Sequence, residues 1–391
     1  MISATLNEFV KEHENDDIRV LALHATQYPE IDMQLAISQI KGRQIAKEKI
    51  PGWYINEKIL YPKHLSLEQS SSEKTARYKA TLVAGDNMVD LTGGMGVDFS
   101  FLATKFKHAV YVEQQTELTE IAAHNFKELG LTNVTVKNTE ALSCLQEMTP
   151  ADLIYIDPAR RDAIGRKTVS IEDCTPNILE LESLLSEKGK LAMIKLSPML
   201  DISLALKSLS GISDIHIVSH NNECKELLFI KRKVNSETRY HCVNIQKEKT
   251  DILSFTREQE EETAIGYKSQ TGKYLYEPNA SITKAGAYKY LSTYYKIDKI
   301  HPNSHLYTSD SYIPDFHGRS FIIENVCSLN KKEVKQYLHN IKQANITTRN
   351  FPLSVQELRK RTGLKDGGDI FIFATTLADE KKVLLICKKA N

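Results

Sequence analysis

The stretch Val89-Asp-Leu-Thr-Gly-Gly-Met-Gly-Val-Asp98 constrains this chain more than any other. A short apolar strand over 88–91 runs into a turn built from Gly93, Gly94 and Gly96. A second strand over 109–113 closes on an acid, Glu113, twenty residues after Gly93. Only a backbone without Cβ turns this tightly and lets a ligand lie against it. A carboxylate ending the second strand is placed to take a ribose diol. The combination predicts a nucleoside-cofactor site on an α/β sheet. A P-loop is excluded by the absence of GxxxxGK[ST]. A nicotinamide or flavin site normally needs a third glycine to pack helix on strand, and here Val97, Asp98 and Phe99 follow Gly96 instead.

Strand and helix patterns alternate from this point. Strands are predicted at 88–91, 109–113, 133–137, 152–157, 190–195, 214–219 and 226–233, most with a helix between them. Such alternation predicts a mainly parallel, doubly wound sheet. Only residues 221–224 separate the last two strands, too few for a helical crossover, so those strands form a hairpin and one of them runs antiparallel. Residues before 70 look helical and polar. A further helix is expected from Ser70, because Ser70-Ser-Ser-Glu73 has capping-box spacing. The Glu/Lys-rich stretch 235–265 reads as a surface linker or solvated hairpin. A small unit around 276–288 follows, and 320–391 reads as βαβαββ.

Composition removes several function classes. No run approaches a membrane span, and the first residues lack the features of a secretory signal. Six scattered cysteines without a CxxC pair suit a reducing cytoplasm and argue against a zinc ribbon or a disulfide framework, so no metal is expected. Formal net charge is only +1, so a nucleic-acid partner has to be met by a local basic patch.

Asp90-Leu-Thr-Gly-Gly-Met-Gly96 resembles the first motif of the class I S-adenosylmethionine-dependent methyltransferases. Glu113, Asn138-Thr-Glu140 and Asp157-Pro-Ala-Arg-Arg161 follow in that family's order, and its sheet also ends in a reversed hairpin strand. The resemblance implies a Rossmann-like, seven-stranded sheet and S-adenosyl-L-methionine as cofactor. It further implies that Asp90 binds the cofactor's ammonium and Gly93, Gly94 and Gly96 its amino-acid moiety. Glu113 would take both ribose hydroxyls and Glu140 the adenine, with Asn138 an equal candidate. Asp98 reads as a first-turn acid complementing a helix dipole. The helix before the glycine motif resembles a segment that covers the cofactor in RNA-cap-type methyltransferases.

Asp157-Pro158-Ala159-Arg160 is similar to the motif with which amino-methylating enzymes hold an exocyclic amine. Asp157 and Pro158 are therefore the catalytic candidates, although Ala159 and Arg160 depart from that pattern. Lys195-Leu-Ser197-Pro198 carries serine where carbon-directed uridine enzymes carry cysteine, which favours a nitrogen or oxygen acceptor. Arg160 and Arg161, with Arg166 and Lys167, make a basic loop suited to an acidic substrate. At the C-terminus, the βαβαββ pattern resembles a THUMP-like domain and the C-terminal domain of translation initiation factor three. There Arg359, Lys360 and Arg361 lead into a glycine loop that suits phosphates.

The chain as a whole resembles a bacterial methyltransferase family with a small ferredoxin-like insert and a C-terminal THUMP-like domain. The expected domains are an N-terminal helical region (1–69), a methyltransferase domain (70–235), a linker with a ferredoxin-like module (236–319) and a THUMP-like domain (320–391). The expected activity is methylation of a base nitrogen in structured RNA, tRNA or rRNA, in the cytoplasm. A methyltransferase of a protein or small acidic metabolite, and a non-catalytic RNA-binding protein on the same scaffold, stay open beside it.

Overall fold

The structure, a computed structural model, describes residues 3–63, 67–160, 171–233 and 237–390. Its contacts divide into two compact units, Met1–Ile215 with Glu226–Ser236, and His216–Lys225 with Glu237–Asn391.

The first unit is built on strands β1 (Gly85–Asp90), β2 (Phe106–Glu113), β3 (Val134–Asn138), β4 (Ala151–Ile156), β5 (Gly189–Leu196), β6 (Ile212–His220) and β7 (Glu223–Arg232). Their order is β3-β2-β1-β4-β5-β7-β6. The pairs β1–β2, β1–β4, β2–β3 and β4–β5 are parallel, and β5–β7 is antiparallel. The reversed strand follows from the β6–β7 turn, where Asn221 (φ 50°) and Asn222 (φ 63°) supply the two positive φ angles of a two-residue hairpin. Crossover helices such as Thr116–Glu128 and Ile178–Lys188 link the parallel strands. Met88 on β1, Tyr155 on β4 and Met193 on β5 join the rings of Phe99, Tyr111 and Phe126 in one core. Those three rings pack with centroids 4.8–5.4 Å apart.

The N-terminal helices pack against the glycine motif. Trp53, Tyr61, Leu67 and Ala76 form a buried cluster with Met95 and Val97, and Trp53 Nε1 donates to Ser100 Oγ at 3.3 Å. The capping expectation needs correction: the helix is Glu73–Thr81 and its N-cap is Ser72, whose hydroxyl accepts from the amide of Thr75. Ser70 and Ser71 are spent elsewhere, on the carbonyl of Leu67 at 2.8 Å and on Asp98 at 2.7 Å. Glu73, first in the helix, reaches back to the amide of Gly52 at 2.6 Å.

The tip of the β6–β7 hairpin counts with the second unit. There strand Arg239–Ile245 pairs antiparallel with Thr250–Thr256. The Glu/Lys-rich stretch thus holds a hairpin with an apolar face (Tyr240, Cys242, Leu253 and Phe255 are buried). It also holds the short helix Arg257–Glu262, from which buried Glu260 accepts the amides of Tyr288, Lys289 and Tyr290. A second sheet joins both C-terminal modules. Tyr274–Pro278 pairs with Gly318–Cys327, which pairs with Lys382–Lys389, then Ile370–Thr376, then Asn345–Arg349.

Candidate active site

The glycine turn is fixed from beneath. Gly93 donates to the carbonyl of Val112 at 2.8 Å, and a Cβ on it would stand 2.1 Å from the ring of Tyr111. The Tyr111 hydroxyl donates to the carbonyl of Gly94 at 2.5 Å. Gly94 itself has φ +53°, and a Cβ there would meet nothing nearer than the Thr92 carbonyl at 3.8 Å. Its backbone therefore faces open space, as a ligand cradle must. Gly96, also left-handed, starts the helix Val97–Leu102.

Two acids flank the turn. Glu113 is buried at the end of β2 and accepts the amides of Gly94 at 3.0 Å and Gln115 at 2.9 Å, one on each oxygen. Each oxygen keeps a further lone pair for a hydroxyl donor. Asp90, 1% exposed at the end of β1, accepts the amide of Thr92 at 2.9 Å. Burial pushes its carboxyl well above the usual range; the Thr92 bond opposes this, while Asp98 and Asp157 add to it. A buried acid in that condition is stabilised by an arriving cation.

Asp157 and Pro158 follow β4 on the same edge of the sheet. The amide of Asp157 donates to Thr92 Oγ1 at 2.6 Å, which ties the acceptor motif to the glycine motif. Pro158 is buried, whereas the Asp157 side chain is 38% exposed. Its Oδ2 is ion-paired with Lys195, near the end of β5, whose side chain is only 13% exposed. Lys195 lies 3.7 Å from Asp98 Oδ2 as well. Burial would lower the Lys195 ammonium, but Asp157, Asp98 and Glu226 overcome it and hold it well above the usual lysine range.

Behind this pair lies a charge network that sequence reasoning missed. Lys79, fully buried on the helix Glu73–Thr81, binds both oxygens of Glu226 at 2.6 and 2.7 Å and Asp98 Oδ1 at 3.1 Å. Ser71 and Tyr155 donate to Asp98 Oδ2 at 2.7 and 2.8 Å. Burial raises the Asp98 carboxyl, but Lys79 and Lys195, helped by these hydroxyls, bring it down to about 2. Asp98 lies in the first turn of the helix Val97–Leu102, where an acid suits the dipole, and is at the same time a buried anchor of this network. The detectable signal was Lys79 three residues after Ala76 and four after Thr75, which puts it on the same helix face as those buried residues.

The remaining sequence candidates fall in different places. Glu140 is exposed at the N-cap of Ala141–Glu147 and caps nothing with its side chain. Asn138 is committed to structure, donating to the carbonyls of Glu113 and Gln114 and accepting from Thr116. Arg160 pairs with Cys174 in a two-residue ladder, while Arg161, Arg166 and Lys167 lie outside the described residues. Arg359 is turned onto its own module: it donates to the carbonyls of Leu364 and Ala344 and pairs with Asp366. Lys360 and Arg361 are exposed. Among the described residues no group of three or more His, Cys, Asp or Glu is placed to hold a metal, and no helix is long and apolar enough to cross a membrane.

Comparison with known proteins gives this geometry a family. A ferredoxin-like domain model matches residues 274–316, and a THUMP domain-like model matches 318–389. An uncharacterised S-adenosylmethionine-dependent methyltransferase of Mycobacterium tuberculosis, in strains CDC 1551 and H37Rv, is 21% identical over 318 residues, covering 80% of this chain and 83% of that protein. A candidate methyltransferase of Porphyromonas gingivalis W83, known from its crystal structure, is 34% identical, with 99% of this chain and 98% of that one covered at a TM-score of 0.89. This chain belongs to the same family, the class I S-adenosylmethionine-dependent methyltransferases with a ferredoxin-like insert and a THUMP-like C-terminal domain. The methyltransferase's glycine edge fits that cofactor: open space over Gly94, a buried acid favouring a cation at Asp90, and a carboxylate with spare lone pairs at Glu113. When bound, the cofactor supplies a methyl group on a sulfonium.

Proposed function

We propose that this methyltransferase modifies structured RNA, tRNA or rRNA, in the cytoplasm, at a base nitrogen held by Asp157 against the wall at Pro158. The observation that carries the reading is the pairing of an Asp-Pro acceptor motif at the end of β4, tied by Thr92 to the glycine turn, with a THUMP-like module on the same chain. Asp157 keeps one carboxylate oxygen beside its ion pair, enough to accept from an amine and aim its lone pair at the methyl carbon. On the cofactor side, Asp90 takes the ammonium, Gly93, Gly94 and Gly96 the amino-acid moiety, Glu113 the ribose and Glu140 the adenine. Arg160 and Arg161 meet the substrate's phosphates near the acceptor.

The Lys195–Asp157 ion pair favours one second acceptor, a hydroxyl oxygen. A hydroxyl loses its proton as the methyl arrives. Asp157 can accept that proton while the Lys195 ammonium stabilises the developing alkoxide. Mass spectrometry of nucleosides from a deletion strain separates the readings. Loss of one base-methylated nucleoside is expected; loss of a ribose-methylated one selects the hydroxyl, and an unchanged profile removes RNA as substrate.

Asp90 also gives cofactor binding a pH dependence. Its carboxyl is raised in the free protein, and an ammonium beside it lowers it again. Binding therefore expels a proton at low pH, and affinity rises with pH until Asp90 is ionised in the free protein. Calorimetry between about pH 5 and pH 7, in two buffers of different ionisation enthalpy, is expected to show this release. Flat affinity with no proton release would show that Asp90 does not face the ammonium.

A further inference from the structure

The second unit contains a pair of guanidinium groups that the methyltransferase chemistry does not use. Glu277, in the strand Tyr274–Pro278, is 4% exposed, and both its oxygens are engaged. Its Oε2 accepts from Arg319, through Nε at 2.8 Å and also through Nη2; its Oε1 accepts from Arg349 Nη2 at 2.9 Å. Arg319 stands directly opposite Glu277 in the sheet register, and Arg349 ends the strand Asn345–Arg349. Gly318 permits the close approach, since a Cβ there would lie 2.1 Å from the Glu277 carbonyl. The buried acid therefore gathers two arginines from separate strands at one point.

Charge and exposure show what this arrangement lacks. One carboxylate balances one guanidinium, so the cluster keeps a net positive charge. The arginine side chains are 42% and 46% exposed although their partner is buried. Of their remaining donors, Arg349 Nη1 reaches the carbonyl of Thr348 at 3.3 Å, and the Arg319 guanidinium lies 5.6 Å from the ring of Phe321. Fixed, half-exposed guanidinium forks match a phosphate in shape and charge. Holding them on a buried carboxylate removes much of the side-chain entropy cost that binding would otherwise carry. The basic helix end singled out in the sequence is weaker in this respect, because Arg359 is already bound to its own loop.

We infer that Arg319 and Arg349, held together by Glu277, form a phosphate-binding clamp that takes the backbone of the RNA substrate. The inference rests on the reading that the substrate is RNA. It makes the clamp a docking element, so losing it weakens binding and leaves the chemical step intact.

The test compares the full-length wild type with Arg319→Gln/Arg349→Gln in binding unfractionated bacterial tRNA across a salt series. The double variant is expected to bind on the order of tenfold more weakly, with a salt slope smaller by about 2. Its KM for RNA should rise while kcat holds. Affinity and slope equal to the wild type's overturn the clamp and leave the RNA reading standing. A wild type that binds neither this tRNA nor bacterial rRNA overturns both. Pyrophosphate is the second probe: if the double variant loses pyrophosphate binding but keeps tRNA affinity, the site takes a free anion and the RNA assignment is overturned. Should the double variant melt early, Arg319→Lys/Arg349→Lys keeps the charges but loses the forks. It is expected to weaken tRNA binding several-fold with the slope retained, and unchanged affinity overturns the clamp.

Discussion

Asp157→Ala is expected to lower the methyl-transfer rate at saturating cofactor by about 10²–10⁴-fold while cofactor affinity changes little. The side chain faces Lys195 and the acceptor position, whereas its link to the cofactor edge runs through its backbone amide to Thr92 and survives in alanine. Single-turnover transfer from labelled cofactor, together with calorimetry of cofactor binding, gives the two numbers. Asp157→Asn then distinguishes the acceptors. An amine needs only an oxygen to accept its hydrogen bond, which asparagine keeps, so a loss of roughly tenfold is expected. A hydroxyl needs a charged proton acceptor, and asparagine should then be nearly as slow as alanine. An alanine variant that transfers methyl at the wild-type rate removes Asp157 from the mechanism.

Features encoded within a few residues were legible in the sequence. The glycine turn, the acid ending β2 and the Asp-Pro motif after β4 are all local patterns, and each lies at the predicted strand end. The β6–β7 hairpin was legible too, because two asparagines leave no length for a helix. Side chains whose meaning depends on distant partners were not. Lys79 and Glu226 are 147 residues apart in sequence and share a bond of 2.6 Å. In composition they are two more charges on a polar helix and at the edge of an apolar strand. Asp98 was ambiguous for the same reason: an acid in a helix's first turn suits the dipole, and only the fold shows it beneath Lys79 and Tyr155. Arg359 is a further case of a side chain whose partners lie outside its local pattern. A basic helix end suggested phosphate, but the chain turns back and offers it the carbonyls of Ala344 and Leu364.

The buried network makes a second strong prediction. Lys79→Met is expected to destabilise the protein by about 3–5 kcal/mol, because it leaves Glu226 and Asp98 buried with one cation fewer between them. Methionine fills much of the lysine volume, so the loss reports charge more than packing. Lys79→Met/Glu226→Met, which removes both members of the closest pair, should recover part of that loss, since a matched apolar pair avoids the uncompensated charge. The pH dependence follows from Asp98. Its carboxyl is held down to about 2 in the folded protein, against an unfolded value of about 3.9. A depressed acid contributes stability above its unfolded value, and that stability is lost as pH falls through the folded one. Without Lys79 the folded value rises toward the unfolded value, so acid unfolding should begin at higher pH. Urea denaturation near neutral pH and an acid titration followed by circular dichroism measure the two effects. If Lys79→Met shares both midpoints with the wild type, Lys79 does not hold these acids. If only the acid midpoint stays fixed, Lys195 and the two hydroxyls suffice to keep Asp98 charged.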